Sequence, residues 1–366
     1  MERHQRPYYI WLSSIEGIGA KRIQMLCDYF GSPKAIFEHA TLKECLQIPL
    51  MGEATSRLLL AACNQTRLDA ANECLEKKGI RVYFREDDCY PSALRDLADA
   101  PSMLFAKGVC KPDFLRTVAM VGTRHCTRYG RHVAQKLAQE LAATGVTIVS
   151  GMARGIDASA HYGALQAGGF TVAVLGCGVD VVYPAEHGKL YEQICENGVV
   201  LSDYFPGTQP LPTNFPPRNR IISGMSDAVV IVESKEKGGS MITYQFALEQ
   251  GKEIFAVPGN IDSPASMGTN RMIRDGMFPV LEADDILIRM RWQCSGNPSP
   301  TQQPEWELTE EEKRVYEQLE QGDLSYDALV AHTGQTDTQL ATCLTLMEIR
   351  GIIKQLPGRI YTIVRS

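Results

Sequence analysis

The sequence predicts an α/β protein built on a doubly wound, mostly parallel sheet, with a helical segment before it and a winged helix after it. Three observations point there. Six short Val/Ile-rich runs alternate with helical patterns between residues 117 and 259; apolar runs of that kind belong to parallel strands buried on both faces. Residues 8–75 show helical periodicity only. Residues 307–364 read as three helices and two short strands joined by Pro357-Gly358.

The elements follow in order. In YYIWLSSIEGIGAKRIQMLCDYFGS, Gly17 and Gly19 form a turn between two short amphipathic helices, as in a helix-hairpin-helix; a weaker echo follows at 48–62. Such a glycine turn either offers amides to a nucleic-acid phosphate or simply turns the chain. Residues 76–117 switch to strand-like pieces, IRVYF and SMLFAKG, and read as a connector packed on the next domain. Then come TVAMVG, VTIVS, TVAVLG, GVVLSD, AVVIVE and EIFAVPG, with helices over 127–143 and 157–167 between the first three. In open sheets of this type, ligands sit beyond the carboxyl ends of the strands. The stretch 293–306, rich in Pro, Ser, Gln and Gly, reads as a linker.

Composition sets outer bounds. At 366 residues, two to three domains are expected. The net charge of −6 advertises no global attraction for nucleic acid, so any such site is a local patch. Eleven cysteines without a Cys-x-x-Cys pair suit reduced thiols in a cytoplasm. No signal peptide and no membrane span is expected, and the sequence suggests no cofactor, no metal and no catalytic residue.

The local patch begins at VAMVGTRHCTRYG, 118–130. No carboxylate lies between Asp113 and Glu140, while Arg116, Arg124, Arg128, Arg131 and Lys136 fall there. A strand opening through Gly122 and Thr123 into a helix start is expected to hold an anion, because free amides and the helix dipole converge. Further loops repeat the theme. SGMARGIDASAH carries Gly151 and Arg154, FPPRNRIISGMSD carries Arg218, Asn219 and Arg220, and KGGS carries Gly239 and Ser240. Glycines let a phosphate approach the backbone, and arginines grip it in two-pronged fashion. Tyr129, Tyr183 and Phe215 offer stacking faces for unpaired bases. A row of such sites suits a polyanion. Competing readings stand beside this one: Arg218 and Arg220 as structural partners of Asp203 or Asp227, Asp157 as a helix cap, His161 as a helix-face residue, and Cys177 as an inert thiol. No Gly-x-Gly-x-x-Gly follows the first strand and no P-loop occurs, which speaks against nicotinamide cofactors and P-loop ATP hydrolysis.

Those four motifs, with LGCGVDVVYP as a fifth, stand in the order and spacing of the DNA-processing protein A family (DprA, also called Smf), which the chain resembles over residues 8–364. The resemblance implies a helical SAM/helix-hairpin-helix-like domain over 1–75, an extended Rossmann-like core over 76–292, and a winged-helix domain over 307–366. It implies single-stranded DNA as ligand, a homodimer through the core, and loading of the RecA recombinase in natural transformation, with no enzymatic reaction. The chain departs from the family at Tyr183-Pro184-Ala185-Glu186-His187, where many members carry a lysine after Tyr-Pro; Lys189 is the nearest substitute. A rival reading is a nucleotide-hydrolysing enzyme related to phosphoribohydrolases, but the stretch 237–244 lacks their Pro-Gly-Gly-x-Gly-Thr-x-x-Glu pattern. The tail holds ten carboxylates against six basic residues over 306–366, and its third helix has no Lys or Arg before Arg350. It is therefore expected to contact protein more than DNA.

Overall fold

The computed structural model describes residues 3–97, 99–110, 114–292, 308–320, 322–350, 352–356 and 358–363. The expected linker, 293–306, lies outside them. The chain divides into two compact units, residues 1–293 and 294–366.

The first unit is organised by one sheet. Its strands are β1 (Arg81–Phe84), β2 (Met103–Gly108), β3 (Thr117–Val121), β4 (Thr147–Ser150), β5 (Thr171–Val174), β6 (Val199–Ser202), β7 (Ala228–Ile231), β8 (Glu253–Ala256) and β9 (Phe278–Pro279). Their spatial order is β1-β2-β6-β5-β4-β3-β7-β8-β9. From β6 to β9 every neighbour is parallel, whereas β1 and β2 join antiparallel through β6. The chain winds outward one way from β3 to β6 and the other way from β7 to β9. The switch point therefore falls between β3 and β7, where open sheets take their ligands.

Alternation along the strands fills both faces. Val118 and Met120 of β3 pack with Leu137, Ile156, Phe255 and Ile286 on one side. Ala119 and Val121 pack with Ile221, Ile222 and Ala247 on the other. Each of these branched side chains contributes roughly 1.5–3 kcal/mol by leaving water. The helix Arg128–Ala143 starts at Thr127, whose hydroxyl accepts from the Gly130 amide at 3.1 Å, and buries Ala134, Leu137, Ala138 and Leu141. It lies tightly against the helix Ile156–Gln166, because a Cβ at Gly163 would stand 2.2 Å from the Gln135 carbonyl oxygen.

The helical front is not a separate body. Ile10, Trp11, Leu12, Leu59 and Leu68 share one hydrophobic cluster with Phe84, Met103, Phe105, Leu175 and Val179 of the sheet layer. A polar contact reinforces this, Arg6 pairing with Asp87 at 2.5 Å, while within the front Trp11 Nε1 donates to the Ala62 carbonyl at 2.8 Å. Gly17 takes φ +79°, a left-handed turn that a β-carbon resists, and Gly19 opens the helix Ala20–Phe30 without a side-chain cap.

His161, read from sequence as a helix-face residue, is fully buried. The Thr171 hydroxyl donates to the Ile148 carbonyl, so it accepts from His161 Nδ1–H at 2.7 Å. Nε2 is buried without a partner. Burial first, then the charges of His187 and Arg218, depress the imidazole from 6.5 to about 3. The unfolded chain thus binds a proton below pH 6.5 that the folded chain refuses until about pH 3. Stability attributable to His161 is present above pH 6.5 and falls between those limits by up to about 1.4 kcal/mol per pH unit. Urea midpoints measured from pH 7 to 4 are expected to fall less steeply in His161→Gln than in the parent chain.

The second unit holds the helices Glu310–Glu320, Tyr326–Thr333 and Asp337–Ile349 with the strands β10 (Leu324–Ser325), β11 (Ile353–Leu356) and β12 (Ile360–Ile363). Val315, Leu319, Leu329, Leu340, Leu344, Met347 and Ile352 form its core. A capping box, Thr336 with Gln339, starts the third helix. Arg350 at the end of that helix is tied to the buried Glu312 carboxylate. Burial alone raises this carboxyl, but hydrogen bonds from Arg350 and the Thr309 amide outweigh it and hold it below its ordinary value.

Candidate nucleic-acid interface

The carboxyl ends of β3, β4 and β5 converge with the start of the helix Phe215–Gly224. Arg124, Gly151, Ala153, Arg154, Tyr183, Pro184, Phe215 and Arg218 line one small pocket there. Arg124 is exposed, and its guanidinium lies 5.2 Å from the centroid of the Phe215 ring. Among the described residues no salt bridge ties it to a carboxylate. Phe215 in turn meets Tyr183 at 5.4 Å with an interplanar angle of 32°. Gly176 makes room for this arrangement, since a Cβ there would approach Phe215 to 2.9 Å. The result is an accessible cation above a pair of aromatic rings, suited to a phosphate and the base attached to it.

The other expected contacts divide by burial. Arg154 is exposed and pairs with Glu186, the acid that stands near the position of the family's lysine. Gly151 leaves its carbonyl to Arg218 Nη1 at 2.8 Å, and a Cβ there would strike that guanidinium at 2.5 Å. Gly239 is open at the first turn of the helix Gly239–Glu249, whereas Ser240 is buried and donates to Ser234 Oγ at 2.8 Å. Tyr129 is half exposed, with its hydroxyl on the Pro258 carbonyl at 2.8 Å. Asn219 is half buried, and its carbonyl accepts from Ser223.

Arg218 and Arg220, expected as phosphate grips, face inward. Arg218 is 3% exposed and donates to the carbonyls of Gly151 and Val174. Burial pushes its pKa down, and the neighbouring Asp157 opposes this. Asp157 is itself buried, raised by desolvation and stabilised by Arg218 and the Ala153 amide. Arg220 pairs with Asp203 at 3.1 Å and Asp99 at 3.7 Å, which is the structural ion-pair reading. The helical spacing carried a hint: Arg218 stands three and four residues before the buried Ile221 and Ile222, on the same face.

The helix start after Gly122 was expected to hold an external anion. It already holds one of the chain's own. Glu233, at the end of β7 and 1% exposed, accepts from the Thr127 amide at 2.9 Å and from the Thr127 hydroxyl at 2.5 Å. Gly130 is required beside it, because a Cβ there would fall 2.3 Å from Oε2. The Thr123 amide is likewise spent on the Glu233 carbonyl at 2.8 Å. Sequence reasoning passed over Glu233; the sign was an acid closing the buried run AVVIVE.

Comparisons with known proteins agree with one another. A family profile described as "DNA recombination-mediator protein A" matches residues 81–291, and one described as "DprA winged helix domain" matches residues 299–359. Protein Smf of Escherichia coli is 35% identical over 290 residues, covering 78% of both chains. DNA processing protein DprA of Streptococcus pneumoniae is 44% identical over 208 residues, 56% of this chain and 73% of that one. The solved S. pneumoniae structure superposes with a TM-score of 0.65 at 34% identity, covering 77% of this chain and 97% of its own. A Helicobacter pylori structure, described as giving insights into "the unique single-stranded DNA binding mode of DNA processing protein A", has a TM-score of 0.52 at 30% identity, covering 58% of this chain and 96% of its own. With a core domain matched over more than half its length and a winged helix behind it, this chain belongs to the DNA-processing protein A (DprA/Smf) family.

Proposed function

We propose that the chain binds single-stranded DNA across the carboxyl edge of the sheet, shields incoming strands, and delivers them to the RecA recombinase as a homodimer formed through the core. It acts as a binding protein and mediator, not as an enzyme. The observation that carries this reading is Arg124: exposed, unpaired with acid among the described residues, and set over the Phe215–Tyr183 rings. Gly239 keeps the backbone open at its helix start, Gly151 admits the Arg218 guanidinium beneath the loop, and Gly122 and Thr123 hold the loop that presents Arg124. Arg154 joins the contact once it leaves Glu186, with Tyr129 and Asn219 at the margin. Arg218 and Arg220 hold the scaffold, and Ser240 supports the turn at Gly239. The H. pylori relative described as binding single-stranded DNA supports the same ligand here. Consumption of Glu233 by the helix start favours binding over hydrolysis, since it leaves that carboxylate no freedom for acid–base work.

Gel shifts of single- and double-stranded DNA at two salt concentrations test the reading. Single strands are expected to bind more tightly, with affinity falling as salt rises. Deleting residues 300–366 is expected to change affinity by no more than about threefold, because a net negative module gains nothing from the phosphate backbone. Equal binding of duplex, or a large loss on deletion, would contradict it.

A further inference from the structure

Away from the Arg124 pocket, two thiols meet at the antiparallel margin of the sheet. Cys89 Sγ and Cys110 Sγ lie 2.9 Å apart, and both cysteines are free. Each stands on a turn that other contacts fix. Cys89 falls between β1 and the short helix Ser92–Arg95. There the Asp87 amide donates to the Phe84 carbonyl at 2.8 Å, and Asp87 Oδ2 accepts from the Phe84 amide at 3.0 Å. The Tyr90 amide donates to the Asp87 carbonyl at 3.0 Å, and the Tyr90 hydroxyl to the Pro101 carbonyl at 2.6 Å. Cys110 follows β2, where the Val109 amide donates to the Gly198 carbonyl at 2.7 Å and Arg81 donates to the Gly108 carbonyl. Gly108 is required at that exit: its φ is +121°, and a Cβ would stand 2.5 Å from the Gly198 carbonyl oxygen. The two turns therefore hold the sulfurs together without any rearrangement of the backbone.

The partners are not equivalent. Cys110 is exposed, whereas Cys89 is half-buried against the cluster that contains Tyr83 and Tyr90. A hydrogen bond from Cys89 first, then Tyr83 and the Arg81 guanidinium, outweigh burial and hold the Cys110 thiol below its ordinary pKa. The same sulfur contact, with burial and the carboxylates of Asp87 and Asp88, raises Cys89. Elsewhere burial pushes the thiols of Cys63, Cys177 and Cys343 up to about 11. An accessible thiol inclined to ionise, with a second thiol in contact, provides an attacking and a resolving cysteine in one place.

We propose that Cys89 and Cys110 form a reversible dithiol–disulfide site, in which Cys110 attacks a small-molecule disulfide and Cys89 resolves the mixed disulfide. The Cys110 thiolate, its proton given to water, bonds to one sulfur of the small disulfide and releases a thiolate, which takes the Cys89 proton. Cys89 Sγ then attacks Cys110 Sγ. The intramolecular S–S bond forms, the bond to the second small thiol breaks, and that thiolate recovers a proton from water. The protein dithiol is oxidised by two electrons, and the small disulfide is reduced to two thiols. An excess of small thiol reverses each step, so the site follows the thiol–disulfide balance around it. When closed, the bond ties the turn after β1 to the exit of β2, the margin whose Phe84, Met103 and Phe105 pack against the helical front.

The test uses the full chain, reduced, desalted under nitrogen and exposed to glutathione disulfide. Remaining thiols are alkylated with N-ethylmaleimide, and tryptic peptides 86–95 and 108–116, which carry Cys89 and Cys110, are read by mass spectrometry. The parent chain is expected to give the two peptides joined, two hydrogens lighter than their sum, and separated again by dithiothreitol. In Cys89→Ser, whose hydroxyl still donates to Cys110, the reaction is expected to stop at a stable glutathione adduct on Cys110. Cys110→Ser is expected to form its adduct on Cys89 about tenfold more slowly, because a half-buried, less acidic thiol offers less accessible thiolate. Cys89→Ala serves if Cys89→Ser fails to fold. Both thiols left free in the parent chain, separate adducts that never join, or either cysteine joined to a different one overturns the proposal. An adduct rate on Cys89 equal to or above that on Cys110 overturns Cys110 as the attacking thiol. Strand binding plays no part in these readouts, so they succeed or fail apart from the function proposed above.

Discussion

Arg124→Ala is expected to weaken single-stranded DNA binding by about tenfold or more, to a similar degree for every base composition. The guanidinium is exposed and has no acid to satisfy among the described residues, so its charge is available to the strand. A charge-assisted contact of this kind contributes about 1.5–3 kcal/mol. Because it is made to a phosphate, its loss is expected to flatten the slope of log affinity against log salt by about 0.7, one released counterion on a single strand. Arg124→Lys restores the charge without the planar fork that lies over Phe215, and is expected to recover the salt slope more fully than the affinity. Titrations at three salt concentrations measure both quantities, and unchanged affinity in Arg124→Ala would remove this residue from the interface.

Glu233→Ala carries the largest expected cost in stability. The carboxylate is buried and receives two hydrogen bonds from Thr127 at the head of the helix Arg128–Ala143. Deleting it leaves both donors without acceptors, at about 1–3 kcal/mol each, and strips the helix dipole of its counter-charge. A loss of roughly 3 kcal/mol and a clearly lower melting temperature are expected. Formate carries the same carboxylate chemistry and fits the vacated space. It is expected to return part of the lost melting temperature in Glu233→Ala and to leave the parent chain unaffected. A melting temperature within a degree or so of the parent would show that the cap contributes little.

The strands were legible because parallel strands buried on both faces must be apolar at almost every position. TVAMVG, VTIVS, TVAVLG, AVVIVE and EIFAVPG therefore mark themselves, and β3, β4, β5, β7 and β8 lie inside those runs. β9 was not legible, since Phe278–Pro279 has two residues, one of them proline, and no periodicity to detect. Chemistry at loops was harder to read. Arg124, Arg154, Arg218 and Arg220 all follow glycine turns or open helices, yet one is free, one pairs at the surface and two turn inward. What separates them is the tertiary neighbour: Gly151 admits the Arg218 guanidinium, and Asp203 meets Arg220 from another strand end. Glu233 escaped notice for a related reason, because its partner Thr127 is 106 residues away in sequence. The glycines, in contrast, mark the turns beyond the carboxyl ends of the strands in the sequence itself.

The helical front shares its oil with the sheet, and this bears on how the gene can be cut. A fragment starting at β1 would present Phe84, Met103 and Phe105 to water where Trp11 and Leu12 now cover them. Sticky aggregates, rather than a trimmed working core, are the anticipated yield from such a fragment. Lineages that shed the front must repaint that wall with polar residues at the same time, so its gain or loss in evolution is a paired event and not a simple exchange of cassettes.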